Sequence, residues 1–139
     1  MKKVILNKSY GGFSLSSKAY INYANKLNKK LYIYKFNLDT QKYYLVNKKN
    51  INNKDSMNLL FLHYCFTNCG RVTQQLSNTI DLDNKYREDK TLIEVVEELG
   101  EEANTFASKL VVVEIPDDLD YMIDDYDGWE TLHQKVQEW

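Results

Sequence analysis

Apolar residues fall in short blocks along the chain, and the spacing within each block names an element. Lys3–Asn7 (KVILN) is a compact apolar run that stops at Ser9-Tyr10-Gly11-Gly12-Phe13, a first strand followed by a turn. Tyr20, Tyr23, Ala24 and Leu27 then recur at i, i+3, i+4 and i+7, which predicts a helix capped by Ser14 or Ser16 and ending near Asn28. Leu31–Phe36 alternates, and after Asn37-Leu38-Asp39-Thr40 a second alternating run, Gln41–Val46, answers it as a hairpin. Leu59–Phe66 (LLFLHYCF) is apolar at both parities, the pattern of a strand inside a sheet.

In the second half, Thr91 and Glu94 stand three apart as a capping box, and Leu92, Val95, Val96 and Leu99 give a helix over roughly 90–105 its apolar stripe. Val111, Val112, Val113 and Ile115, ended by Pro116, read as a central strand buried on both faces. Asp120–Asp124 alternates as a last strand, and Trp129, Leu132, His133 and Val136 fall on one face of a short C-terminal helix. The segment 47–56 (NKKNINNKDS) is almost wholly turn-forming and polar, so a flexible loop is expected there, and Val72–Asn84 is assigned to loop. The order is β-α-β-β-β-α-β-β-α. It implies a single α+β domain over 1–139, with two or three helices packed on a mixed or antiparallel sheet.

Charge changes the picture more than composition does. The net charge is only −2, yet residues 1–78 carry 13 Lys+Arg against two acids and residues 79–139 carry 5 against 18. That asymmetry implies opposite-signed surfaces, and with them a homo-oligomer held partly by electrostatics. No apolar run approaches the ~20 residues of a membrane span, and MKKVILNKSYGG is too polar for a signal peptide, so no membrane contact and a cytoplasmic location are expected. Cys65 and Cys69 are too few for a disulfide framework.

The candidate chemistry is sparse. The Tyr10–Phe13 loop, placed between a strand and a helix N-terminus, suits an anion such as a phosphate. With Ser14, and with Arg71 or exposed Arg87 approaching from elsewhere, Tyr10, Gly11, Gly12 and Phe13 would form a nucleotide site in which an aromatic ring stacks on a base. His63, Cys65, Cys69 and His133 do not match a zinc spacing, and both histidines read as buried. The acids Asp124, Asp125 and Asp127 miss both ends of a calcium loop. No metal, no cofactor and no catalytic residue is assigned, and the protein is expected to be non-enzymatic.

Tyr10-Gly11-Gly12-Phe13 with Leu15-Ser16, the run Leu92-Ile93-Glu94-Val95-Val96-Glu97-Glu98-Leu99-Gly100-Glu101 after Arg87 and Asp89, Val112-Val113-Glu114-Ile115-Pro116-Asp117-Asp118, and Asp125-Tyr126-Asp127-Gly128 with Glu130 together resemble a widespread family of small phage and prophage proteins. This chain has Lys90 and Thr105 where that family usually has proline and glycine. The resemblance implies a phage origin and action inside the host bacterial cytoplasm. A small phage protein without catalytic motifs implies anti-defence by binding. One expectation is a sponge that sequesters an anionic nucleotide-derived immune signal, cyclic ADP-ribose-like or a cyclic oligonucleotide, without binding nucleic acid directly. The alternative is an acidic nucleic-acid mimic that inhibits a host defence protein.

Overall fold

The computed structural model describes residues 1–48, 61–70, 72–76 and 79–135. It is α+β, with antiparallel sheets, and the chain divides into two compact units: Ser16–Asp81, and Met1–Leu15 joined with Leu82–Trp139.

In the unit Ser16–Asp81, helix α1 (Ser17–Lys26) starts where the Ser16 hydroxyl accepts the Ala19 amide proton at 3.1 Å. Its stripe buries Tyr20, Tyr23 and Ala24 as the spacing requires. Strands β2 (Tyr32–Asn37) and β3 (Lys42–Val46) form the expected hairpin, with the Asn37 side chain accepting the amides of Asp39 and Thr40 and Gln41 at φ +55°. With β4 (Leu62–Cys65) and β5 (Val72–Thr73) they make a four-stranded sheet in the order β4-β2-β3-β5. β4 is the last named strand in that order, yet its far side is also met: Thr79 bridges Cys65 in antiparallel fashion and the Ile80 amide donates to the Tyr64 carbonyl at 2.7 Å. Tyr64 stacks on Tyr20 with ring centres 3.8 Å apart and shares a 2.6 Å hydrogen bond with Ser17. β5 replaces part of the loop expected over 72–84. The segment 47–56 lies outside the described residues apart from Asn47 and Lys48.

Cys65 is fully buried on β4, and burial, with a smaller contribution from Cys69, pushes its thiol up to about 11. Its thiolate population is thus very small near neutrality. A disulfide reagent in mildly alkaline buffer is expected to titrate one thiol, Cys69, and to reach the second only after denaturation. Two equally fast thiols would contradict the packing of β4.

In the other unit, β1 (Lys2–Asn7) pairs antiparallel with β6 (Leu110–Ile115), Val4 opposite Val113. β7 (Tyr121–Tyr126) and β8 (Trp129–Gln134) form a hairpin. Val4, Leu6 and Ile115 make the core, with Val111, Val113, Leu119, Tyr121, Ile123 and Leu132 packed against it. Helix α2 (Lys90–Leu99) buries Leu92, Ile93, Val95 and Val96. Its cap is Asp89, which accepts the amides of Thr91 and Leu92, and not the Thr91–Glu94 box. Gly100, at φ +58°, ends it before position 105.

β6 is not a central strand: among the described residues its ladder is with β1 alone, and it is only half-buried, with Glu114 exposed. The C-terminal helix is a strand. Asp127 and Gly128, at φ +50° and +94°, are the two-residue turn that Asp-Gly favours, and beyond it Glu130 and Leu132 point inward with period two. Val136 lies outside the described residues. Among the described residues no helix is long and apolar enough to cross a membrane.

Candidate functional site

The motif residues that are far apart in sequence converge in the unit formed by 1–15 and 82–139. Arg87 sits on a 3-10 turn, Asn84–Glu88, which Asp83 caps by accepting the Lys85 amide. Its guanidinium makes a two-pronged pair with Glu130, Nη1 to Oε1 at 2.7 Å and Nη2 to Oε2 at 2.6 Å. Nη1 also donates to the Ile5 carbonyl, Nε donates to Asn84 Oδ1, and the guanidinium lies over the Phe13 ring at 4.6 Å. Glu130 Oε1 additionally accepts the Asn7 amide at 2.7 Å. The Asn7 side chain in turn donates to the Gly128 and Ser9 carbonyls and accepts the Lys109 amide, while the Lys8 ammonium donates to the Glu130 carbonyl.

This clasp uses the positive charge that the sequence assigns to a ligand. Arg87 and Glu130 are 7% and 2% exposed, so the expectation of an exposed Arg87 is corrected. Burial follows from the inward parity of Glu130 on β8. A cation facing a buried carboxylate must be buried with it.

The glycines of the Tyr10–Phe13 loop serve close approach. A Cβ on Gly128 would lie 2.3 Å from the Gly12 nitrogen and 2.8 Å from that of Gly11, and a Cβ on Gly11 would lie 2.0 Å from the Ala107 carbonyl oxygen. The space beside both loop nitrogens is therefore filled by the β7–β8 turn. The loop is also not the first turn of α1, which begins at Ser17 with Ser16 as its cap. Ser14 is engaged with Thr105 at 2.9 Å. Arg71 lies outside the described residues. Of the assigned residues, Tyr10, Gly11, Gly12, Phe13 and Arg87 are thus gathered around one structure, with Phe13 and Arg87 inside it and Tyr10 outside.

Tyr10 is 67% exposed and meets two residues the sequence reading did not assign to the site. Its ring centre is 5.2 Å from Trp129 and 6.5 Å, edge on, from Tyr126. Tyr126 and Trp129 are cross-strand partners flanking the Asp127-Gly128 turn. The Asp-Gly pair was the available signal, because a hairpin there puts positions 126 and 129 opposite each other.

Beneath the hairpin, a groove of about 530 Å³ is lined by Asn84, Arg87, Glu88, Tyr121, Asp125 and Glu130, among others. Burial and the 2.8 Å hydrogen bond to Glu88 push the Tyr121 phenol up to about 12, so it stays a donor. His133 proves exposed rather than buried. Its Nε2 meets both Asp124 at 3.1 Å and Thr131 at 3.0 Å. A nucleophilic relay needs the base and the orienting carboxylate on different ring nitrogens, so this cluster is not arranged as one. Among the described residues no group of three or more His, Cys, Asp or Glu is placed to hold a metal ion.

Comparison with protein-family models, with curated proteins and with solved structures finds no match to this chain.

Proposed function

We propose that the protein is a non-enzymatic binding protein whose acidic unit occupies the basic surface of a protein partner. In the phage setting that the motif resemblance implies, the partner is a nucleic-acid-handling enzyme of host defence, inhibited by a mimic of its substrate's charge. The observation that carries this reading is the partition of charge. The unit of residues 1–15 and 82–139 contains eight Lys+Arg against 17 acids, a net −9, while Ser16–Asp81 contains ten against three, a net +7. A charge of that size on so small a body steers a cationic surface toward it. The nucleotide-sequestering reading needs a free cation at the Tyr10–Phe13 loop; of its two candidates, Arg87 is already neutralised by Glu130, and Arg71 lies outside the described residues. Opposite charges on the two units also favour self-association that weakens with salt.

The test is competition. Immobilised protein is expected to retain a nucleic-acid-binding protein from host lysate, to release it to duplex DNA or high salt, and to lose it when Asp117, Asp118 and Asp120 are all changed to Asn. The contrary result is no retained partner together with a melting shift under cyclic nucleotides, about 2.7 kcal/mol at a hundredfold excess over Kd. That outcome would restore the sponge.

A further inference from the structure

Resting on the reading above, we infer that the outer face of the β7–β8 hairpin, with Tyr10 beside it, is the docking point for an arginine-bearing segment of the partner protein. Strand register puts three cross-strand pairs on that face: Tyr126 with Trp129, Asp124 with Thr131, and Met122 with His133. The opposite parity carries Ile123, Glu130 and Leu132 into the protein. The outer face is therefore set by the same alternation that builds the clasp.

Its large apolar groups remain in water. Tyr126 is 72% exposed and Trp129 39%, and with Tyr10 they concentrate aromatic area at the turn end of the two-stranded ribbon, while Met122, 45% exposed, lies toward its open end. Tyrosine and tryptophan clustered in this way are the residues that dominate binding energy at protein interfaces. The clasp holds them still: Gly128 is wedged against Gly11 and Gly12, its carbonyl accepts from Asn7, and its amide donates to Asp125 at 2.6 Å. Little loop entropy is then left to lose on docking.

Charge selects the occupant. Asp124 shares the face and Asp127 is in the turn between Tyr126 and Trp129, both exposed; the bases that follow the same parity, His133 and Lys135, are already paired with Asp124 and Asp120 and lie away from the turn. A phosphate-bearing ligand stacked on these rings would meet carboxylates. A guanidinium stacks its plane on an aromatic face while its edge donates to a neighbouring carboxylate, a combination a lysine ammonium cannot match.

The experiment uses fluorescein-labelled octa-arginine and octa-lysine, followed by anisotropy at low salt. Wild-type protein is expected to bind octa-arginine several-fold more tightly than octa-lysine. Tyr10→Ser/Tyr126→Thr is expected to weaken octa-arginine roughly tenfold. Changing Asp117, Asp118 and Asp120 to Asn, at the far end of the hairpin from the turn, is expected to weaken both peptides to a similar degree. If the double variant melts early, Tyr10→Ser alone repeats the measurement, since Tyr10 lies outside the hairpin. Unchanged octa-arginine affinity in the folded patch variant, with both peptides still weakened by the Asp→Asn variant, overturns the docking point and leaves the acidic-unit reading standing. Failure of wild-type protein to bind either peptide overturns both.

Discussion

Glu130→Ala is expected to cost about 3–5 kcal/mol of stability, and Arg87→Ala a similar amount, because each leaves a buried, uncompensated charge. Glu130 accepts three protein hydrogen bonds through its carboxylate, two from Arg87 and one from the Asn7 amide. Removing it orphans the guanidinium and a strand N–H together. Removing Arg87 leaves the carboxylate with a single donor and strips the cation from the Phe13 ring. The double variant Arg87→Ala/Glu130→Ala should cost far less than the sum, since no charge is then stranded, and a double-mutant cycle in urea measures the difference. Strict additivity would mean that the two side chains do not meet in solution.

Gly128→Ala carries the second large effect, about 3 kcal/mol. One part is the strain of an L-residue at φ +94°, and the other is overlap with the Gly11 and Gly12 backbone, which has no flexible end to move aside. Gly12→Ala is the internal control. Gly12 has nearly the same φ, +93°, but a Cβ there meets nothing within 4 Å, so only the conformational cost of about 1 kcal/mol remains. Equal melting temperatures for the two variants would show that the turn does not press on the loop. The Gly128→Ala variant should also lose the patch, as the hairpin tip is what sets Tyr126 and Trp129 beside Tyr10.

The α+β class, the first strand, α1, the β2–β3 hairpin and the body of α2 were legible because each is set by local periodicity. What failed depended on partners distant in sequence. The apolar run at 110–115 looks like a strand covered on both sides, yet an unbroken valine run records only that both faces touch something apolar in part, not how many strands pair with it. Trp129, Leu132 and His133 satisfy a helical spacing over too few residues to exclude period two, and Asp127-Gly128 decides between them. Arg87, Glu130, Tyr10 and the glycines drew notice in the sequence as scattered motif fragments. Their roles were hidden, because whether an arginine faces water or a carboxylate 43 positions away is decided by the register of β8, which no local pattern encodes.

Arg87 belongs to the fold of the acidic unit and is not a ligand-facing cation. Proton-detected NMR of the arginine side chains tests it most directly. A guanidinium whose Nε and Nη atoms donate to Asn84, Ile5 and Glu130 is expected to give an individually resolved, slowly exchanging set of N–H signals, unchanged when cyclic nucleotides or inorganic phosphate are added. Rapid solvent exchange at Arg87, with shifts that titrate on adding nucleotide, would contradict the account and return Arg87 to a ligand site.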